Sequence, residues 1–367
     1  MNIEKWRVLL VDLPRFLWAM RPGLLSGRFD HPWVYYRQWG EHLVWERDHR
    51  GINSSIGGPN ILGVSSMFPG LASLMMKRCL QDWPILFEAC PLHNENSTKV
   101  SFVIPYRGRE RLPLLMSVLK SLAAQEGETI ECIVVEQSCR PEIKEELPRW
   151  IRYIHTPIGR PDMPFNRSWA LNVGAAQAEG EILVLLDGDT CVPKCYAREL
   201  RTIHSQGFKV MRLTRFCFML DKQSSEMLCK CLDFSRKYKV SGMMIQNMGR
   251  TLAVDREVYF ELGGHDESFI GWGGEDDEFA QRCNLVRQYP YCYLPMVHLY
   301  HPVNENTDAH QRCNAKRLEA LQKIPPELRV ALLKRKPFGR TSGTSTGKDG
   351  CPEIEEPFFE RIGARPT

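Results

Sequence analysis

The sequence lacks several patterns that would assign it to a well-known class of protein. None of its 13 cysteines forms a Cys-x-x-Cys pair, and the nearest pairs, Cys191/Cys195 and Cys229/Cys231, do not have zinc-site spacing. No Gly-x-Gly-x-x-Gly pattern and no phosphate-binding Gly-Lys loop follow the first predicted strand. These absences weigh against a zinc module, against hydride transfer on a dinucleotide-binding fold and against ATP hydrolysis.

Long apolar runs and basic stripes are missing as well. The uncharged stretch from Ile52 to Met76 is interrupted by glycine, serine, asparagine and proline, which makes it too polar for a membrane-spanning helix. We expect no signal peptide, and the scattered cysteines favour reduced thiols in a cytoplasmic protein. A net charge of +4 on 367 residues, without stripes of Lys and Arg, argues against a nucleic-acid partner.

The first hundred residues contain one candidate interaction surface. From Ile3 to Met20, large apolar residues alternate with charged ones, which predicts an amphipathic helix. Such a helix either packs on its own domain or lies peripherally on the inner face of a membrane. We divide the chain into an N-terminal extension of unknown role (1–97), a main domain (98–335, with halves 98–190 and 191–335) and a flexible tail (336–367).

Strands and helices alternate from Val100 onward. Apolar strands are predicted at Val100–Ile104, Cys132–Val135, Ile151–Ile154 and Ile182–Leu186, with helical patterns between most of them. This rhythm predicts an α/β fold with a mostly parallel central sheet flanked by helices. Further along, we predict a helix from Glu275 to about Gln288 and a strand at Tyr291–Leu294.

Two carboxylates follow the most apolar strand. Ile182 to Leu186 form an uninterrupted apolar run, and Asp187-Gly188-Asp189 come next. Ligands of parallel sheets sit beyond the carboxyl ends of the strands, so both acids are placed where a ligand would lie. Carboxylate oxygens there suit Mg²⁺ or Mn²⁺ held together with substrate phosphates. The alternative is an ordinary Asp-Gly turn before the next helix.

Arginines follow the first strand on the same rim. Guanidinium groups of Arg107, Arg109 and Arg111 would meet a diphosphate or a uracil edge with their fixed fork geometry. The alternative is a solvated basic turn. Glu136, at the end of the second strand, joins this rim on topological grounds.

A second chemical stretch runs from Phe269 to Glu278. Its Gly271-Trp272-Gly273-Gly274 segment predicts a mobile loop, and four acids then open a helix. The helix dipole explains one or two acids at this position. Four in succession would repel one another, and we expect raised pKa values that suit a general base.

Two histidines come after the predicted strand at Tyr291–Leu294. His298 and His301 would supply imidazoles to a metal site that the Asp187/Asp189 pair begins. A histidine after a strand is often only a packed residue, but two of them downstream of an Asp-x-Asp pattern favour a ligand role.

In order along Val100 to Pro302, these motifs resemble the metal-dependent GT-A glycosyltransferases with a galactosyltransferase-type C-terminal segment. Ile104-Pro-Tyr-Arg-Gly-Arg109 is similar to the Val-Pro-Phe-Arg-x-Arg of β-1,4-galactosyltransferases. Phe165-Asn-Arg-Ser-Trp-Ala-Leu-Asn-Val-Gly174 and Trp272-Gly-Gly-Glu-Asp-Asp277 likewise resemble motifs of those enzymes. Gly249 to Gly264 is also similar to a segment of the polypeptide N-acetylgalactosaminyltransferases.

The resemblance implies a GT-A fold and a role for each matching residue. A UDP-sugar would be bound by Pro105, Arg107, Arg109, Phe165, Arg167, Asp187 and Trp272, with Glu136 added from topology. Asp189 and His298 would bind Mn²⁺, or Mg²⁺ as the alternative; His301 sits one place beyond the second histidine of the xylose-acceptor enzymes. Asp276 would be the catalytic base, and acceptor hydroxyls would be held by Trp272, Glu275 and Asp277.

The expected function is therefore inverting transfer of a sugar, Gal or GalNAc, from a UDP-sugar to a hydroxyl of a glycan, glycolipid or glycoprotein. Two alternatives stay open from the sequence. A retaining transferase would share the Asp-x-Asp pattern without needing Asp276 as a base. A non-catalytic protein of the same fold would bind nucleotide-sugars or glycans without turnover.

Overall fold

A computed structural model of the chain describes residues 3–20, 31–44, 51–56, 62–91, 100–245, 251–302, 307–336 and 338–340. Within these ranges, no helix combines the length and the apolar character needed to cross a membrane. The N-terminal elements are α1 (Ile3–Arg7), a π-helical turn (Val8–Asp12), α2 (Leu13–Ala19), a 3₁₀ turn (Pro32–Tyr35), β1 (Glu41–Val44), β2 (Asn53–Ile56), α3 (Gly63–Met67) and α4 (Pro69–Asp82).

The predicted alternation of strands and helices is present after residue 100. Its elements are β3 (Val100–Tyr106), α5 (Leu112–Ala123), β4 (Ile130–Ser138), β5 (Ile151–Pro157), α6 (Arg167–Gln177) and β6 (Ile182–Leu186). The strands β6, β3, β4 and β5 lie side by side in parallel, in that order. Every residue of β6 is buried, as expected of a strand covered on both faces.

The second half completes this sheet and adds another. Its elements are β7 (Thr190–Cys191), α7 (Tyr196–His204), β8 (Val210–Met211), β9 (Thr214–Leu220), α8 (Lys222–Cys231), β10 (Val240–Ile245), β11 (Thr251–Asp255), α9 (Arg256–Glu261), α10 (Glu275–Cys283), β12 (Gln288–Tyr289), β13 (Leu294–His298), α11 (Thr307–Gln322) and α12 (Pro326–Leu333). The larger sheet has the order β12-β8-β11-β6-β3-β4-β5, with β11 antiparallel to β6. The smaller has the order β10-β9-β13-β7.

Two predicted elements differ from the structure. The helix that begins at Glu275 ends at Cys283 and not near Gln288, because the chain turns there and pairs Gln288–Tyr289 with β8. The strand predicted at Tyr291–Leu294 is wrong: the strand runs from Leu294 to His298, where it pairs with β9 and β7. Aromatic residues gave the earlier segment a strand-like composition, but strand pairing decides the position.

The N-terminal residues pack against the smaller sheet. The ring of Tyr36 contacts both Phe16 of α2 and Phe216 of β9, with centroid separations of 5.2 and 6.2 Å. Arg215, which is fully buried, donates to Glu41 at 2.7 Å and also to the carbonyls of Val34 and Tyr36. This part of the extension therefore shares a core with the second half of the main domain.

Most of the predicted tail lies outside the described residues, but Phe338 to Arg340 contact the main domain. The Phe338 ring lies 5.5 Å from that of Phe260, and the Gly339 N–H donates to Glu267 at 2.9 Å. Trp169 donates its indole N–H to the Arg340 carbonyl at 2.7 Å. These three residues therefore differ from the flexible segment that composition alone predicts.

Candidate functional site

The acidic turn after β6 is joined to β13 by strand pairing. Thr190 pairs with His298 in the antiparallel ladder between β7 and β13, which sets that histidine beside Asp189. The Leu299 N–H donates to the Asp189 carbonyl at 2.8 Å, so the backbone fixes the same arrangement. Gly188 does not adopt a positive φ, so the turn between Asp187 and Asp189 does not depend on the left-handed region.

Asp189, His298 and His301 form a compact three-residue group. Nε2 of His298 lies 3.3 Å from one carboxylate oxygen of Asp189, and Nε2 of His301 lies 3.1 Å from the other. Their ligand atoms all lie within 4.8 Å of one another. One carboxylate and two imidazoles in a largely buried place are a donor set that fits a divalent transition-metal ion. The structure thus places His301 in this group, although in the sequence it sits one residue beyond the second histidine of the xylose-acceptor enzymes.

Electrostatics inside this group are those of tightly held opposite charges. Burial opposes ionisation of Asp189, but His298 and His301 outweigh it and hold the pKa of the carboxyl well below its usual range. The hydrogen bond with Asp189 raises the pKa of His301 against the effect of burial. Nδ1 of His301 lies 3.0 Å from the Pro302 carbonyl and 3.1 Å from Nη2 of Arg111, and these outer contacts orient the ring.

Arg167 joins the acidic turn to the acids of α10. It is the first residue of α6, whose N-cap is formed by the Asn166 side chain, and it contacts Asp187 at 2.9 Å and Asp276 at 2.8 Å. A longer contact of 3.9 Å reaches Glu275. Burial works against its charge, but the three carboxylates prevail and raise the pKa of Arg167. Residues from three distant parts of the chain therefore meet at one guanidinium.

The four acids of α10 occupy different surroundings. Glu275 is buried, which together with the neighbouring Asp276 raises its pKa to about 7. Asp277 is exposed, and its pKa is raised by partial desolvation and by Asp276. Glu278 is buried and bonded to Arg282 and Arg329, which makes it a structural residue.

Asp276 departs from the expectation of a raised pKa. Burial favours its neutral form, yet Arg167 and His265 outweigh this and lower its pKa. Mutual repulsion among the acids was the basis of the prediction, but the sequence did not show that a guanidinium would be placed against this one carboxylate. Asp276 is therefore ionised at neutral pH and able to accept a proton.

A buried network behind Asp276 was missed by sequence reasoning. Nε2 of His265 lies 3.7 Å from Asp276, while its Nδ1 lies 3.1 Å from the Tyr259 hydroxyl. Oδ1 of Asn172 accepts hydrogen bonds from Tyr259 and from the His265 backbone N–H. Asn172 belongs to the Phe165–Gly174 motif and Tyr259 to the Gly249–Gly264 stretch, so these two resemblances were the available signals for the network.

The predicted donor-binding residues have unequal positions. Arg107 donates to Gln137 and to the Met163 carbonyl, and its guanidinium lies 5.3 Å from the Phe165 ring centroid. Pro105 is buried in β3, in register with Val135. Pro105, Arg107 and Phe165 therefore lie close together, where the ends of strands β3 and β4 meet the loop that precedes α6.

Two of the side chains predicted to bind the donor, Arg109 and Glu136, are engaged with other residues of the protein. The Arg109 side chain is 60% exposed and pairs with Glu146 at 2.6 Å. Glu136 is fully buried and accepts hydrogen bonds from Tyr153 and from the backbone N–H groups of Glu142 and Ile143. Topology put Glu136 at the correct strand end, but the pleat turns its carboxylate into the protein.

The conformation of the Gly-Trp-Gly-Gly loop is defined by its glycines and by hydrogen bonds to its backbone. Gly271, Gly273 and Gly274 all have positive φ, between 77° and 97°. The Gly271 N–H donates to the Phe165 carbonyl at 2.8 Å, and the Asn314 side chain donates to the carbonyl of Trp272 at 3.2 Å. Trp272 itself is 58% exposed. The loop thus presents an indole to solvent next to the acids of α10.

Comparison with known proteins places this site in a family. Residues 101–307 match the sequence model described as glycosyltransferase like family 2. Over 76 residues, the chain is 34% identical to human β-1,4-galactosyltransferase 4 and 30% identical to the rat protein, covering 21% of this chain and 22% of each relative. The chain therefore spans less than a quarter of the length of these curated relatives.

Two solved structures of S. aureus TarS 1-349 are also similar. One is 15% identical with a TM-score of 0.39, covering 55% of this chain and 60% of that one. The other, a complex with UDP, is 16% identical with a TM-score of 0.42, covering 65% and 70%. The family match covers more than half of the chain and contains every candidate site residue, in keeping with the expected GT-A fold. The chain belongs to the glycosyltransferase-like family 2.

Proposed function

We propose that the protein is a metal-dependent inverting glycosyltransferase that moves a sugar, Gal or GalNAc, from a UDP-sugar to an acceptor hydroxyl of a glycan or glycoconjugate. The observation that carries this proposal is the convergence at Arg167, which contacts Asp187 at 2.9 Å and Asp276 at 2.8 Å. Asp187 is two residues from Asp189 of the three-residue group, so a candidate metal site and a candidate base adjoin one another.

We assign binding of the sugar donor to the turn after β6. Asp189, His298 and His301 would hold Mn²⁺, or Mg²⁺, and that ion would stabilise charge on the departing diphosphate. Arg111 contacts His301 at 3.1 Å, so its guanidinium is close enough to add positive charge at the same place. The resemblance of the Ile104–Arg109 and Phe165–Gly174 motifs to those of β-1,4-galactosyltransferases supports a UDP-sugar as the donor.

We assign binding and deprotonation of the acceptor to the first turn of α10. The lowered pKa of Asp276 keeps it ionised, so it can remove the proton of an attacking hydroxyl. Glu275, with a pKa of about 7, is partly protonated at neutral pH and can donate a hydrogen bond to a sugar oxygen. Asp277 and the exposed indole of Trp272 would complete acceptor binding.

The proposed base has a direct test. In Asp276→Asn, we expect transfer from the preferred UDP-sugar to fall by about a hundredfold or more, with UDP affinity retained. Glu261→Gln, an exposed acid on α9, is the control and should keep wild-type activity. The donor would be chosen from a panel of UDP-Gal, UDP-GalNAc, UDP-GlcNAc, UDP-Glc and UDP-GlcA. Full activity in Asp276→Asn, or a product of retained configuration by NMR, would contradict the assignment of the base.

The metal group is tested by binding. We expect Asp189→Ala to abolish Mn²⁺-dependent UDP binding in calorimetry and His301→Ala to weaken it by about tenfold or more, because each removes a ligand atom. UDP affinity would be measured with and without Mn²⁺. If Mn²⁺ enhanced UDP binding equally in wild type and in Asp189→Ala, the metal assignment would fail.

A further inference from the structure

The N-terminal helical segment has an apolar face that the described part of the chain leaves exposed. Val8, Asp12, Phe16 and Ala19 are buried, and they follow one another at steps of three and four residues. On the opposite side, Trp6, Leu10, Leu17 and Trp18 are 45–69% exposed. The segment therefore packs through one face and presents large apolar side chains on the other.

This outward face is concentrated and rich in tryptophan. Trp39, whose backbone N–H donates to Asp12 at 2.7 Å, is 56% exposed and adds a third indole beside the helix. Isolated exposed leucines are common on soluble proteins, but several large apolar residues on one helix face mark an interaction site. Indole rings are favoured at the boundary between lipid chains and water, because they have an apolar body and a polar N–H.

The charges around this face have one predominant sign. From Ile3 to Met20, the basic side chains are Lys5, Arg7 and Arg15, and the acidic ones are Glu4 and Asp12. Asp12 is buried, and Arg7 and Arg15 lie near enough to act against the rise that burial causes in its pKa. With Asp12 buried, basic residues outnumber acidic ones among the remaining charges of the segment, which complements an anionic surface.

We propose that the outward face of residues 5–18 rests on an anionic lipid membrane, with its indoles and leucines among the headgroups and its basic residues against lipid phosphates. The combination of an apolar stripe with flanking cations is typical of helices that lie in the membrane interface. This proposal goes beyond the transferase function and does not depend on it.

The test uses the full chain and vesicles in a flotation assay. We expect the wild type to float with vesicles that contain phosphatidylglycerol, and Leu10→Glu/Leu17→Glu to lose about tenfold or more in partitioning. Leu74→Glu/Leu328→Glu is the matched control, since these leucines are 51% and 50% exposed at other sites and should leave partitioning unchanged. Circular dichroism would confirm that both variants are folded.

The charge component is tested separately. Replacing Lys5, Arg7 and Arg15 by Gln should lower partitioning into phosphatidylglycerol vesicles by about tenfold and have little effect with phosphatidylcholine alone. Failure of the wild type to float, or equal losses in the control variant, would overturn the proposal. So would self-association in sedimentation equilibrium that depends on Leu10 and Leu17 without vesicle binding, because the face would then join two copies of the chain.

Discussion

Glu275, Asp276, Asp277 and Glu278 share one helical turn but differ in what surrounds each carboxylate. Asp276 faces Arg167, Glu278 faces two arginines, Asp277 faces solvent and Glu275 is buried. The pKa of Glu275 is raised to about 7 while that of Asp276 is lowered. Neighbouring acids with pKa values pushed apart are an arrangement suited to acid–base chemistry, in which one group is ionised and the other retains a proton.

Glu275 makes the stability of the protein depend on pH in a particular direction. Its pKa is about 7 in the folded chain against 4.5 ordinarily, so between these values the folded state holds a proton that the unfolded state has lost. The free energy of unfolding should therefore fall as pH rises through this window. The shift corresponds to roughly 3 kcal/mol.

The measurement is urea unfolding of wild type and Glu275→Gln from pH 4 to pH 8. Because Gln cannot ionise, the variant should gain stability relative to wild type as pH rises, and the gain should level off above pH 7. Comparing the two proteins cancels the titration of groups that they share. A stability difference that stays constant with pH would contradict the burial of an ionisable Glu275.

The sequence was informative about which residues carry charge and less so about which partners they meet. Asp187, Asp189 and His298 could be chosen because strand ends and motif order locate them. Arg167 entered as a donor-binding residue, yet in the structure it is the link between Asp187 and Asp276. Contacts between side chains 109 positions apart in the chain depend on packing that no local pattern encodes.

At the scale of elements, the loop before α10 is shaped by backbone conformations that only glycine adopts easily. Gly271 has a φ of +77°, and an added Cβ would lie 2.6 Å from Cγ of His310. Gly273 has a φ of +97°, and its nearest neighbour would be Cγ of Gln311 at 3.9 Å. The two positions therefore share the same kind of backbone conformation, but only Gly273 has room for an added methyl group.

We expect Gly271→Ala to destabilise the protein more than Gly273→Ala. Each substitution should cost about 1–2 kcal/mol from the left-handed backbone, and Gly271→Ala should add a further cost because the His310 ring must move. Urea unfolding of the two variants beside wild type would measure the difference. Equal losses would show that the loop relaxes away from α11 when Gly271 is replaced.

Elements within the parallel half were easier to predict than those after it. Strands β3 to β6 appear in the sequence as apolar runs, most of them separated by helices, and local composition suffices to find them. Strand β13 instead joins β9 and β7, and its pairing with β9, from Leu294 opposite Thr214 to His298 opposite Met219, fixes where it begins and ends. That information lies in pairing between distant segments, which explains why the strand was predicted a few residues too early.

At the scale of the whole molecule, a buried ion pair connects the N-terminal residues to the smaller sheet. Arg215 and Glu41 are both fully buried in their side chains and lie 2.7 Å apart. Strand β9, which carries Arg215, is paired with β13, which carries His298. The extension that offered no motif in the sequence thus supports the sheet that holds a candidate metal ligand.

We expect Glu41→Ala to cost about 3–5 kcal/mol in the free energy of unfolding, because it leaves a buried guanidinium without its charge partner. The control is Glu181→Ala, which removes a partner of Arg201 at 2.6 Å in an exposed pair and should cost about 1 kcal/mol or less. Guanidinium chloride unfolding of both variants would provide the comparison. Similar losses in the two variants would contradict the structural weight given to the buried pair.

The ion pair between Arg215 and Glu41 also bears on inheritance, since its two halves lie on opposite sides of residue 101, where the family match begins. A gene fragment limited to the matched segment would encode Arg215 but not Glu41. The smallest unit that recombination could transfer intact is therefore longer than the segment that family comparison recognises. A chimera with a foreign leading segment would have to supply an acid at the same point in space.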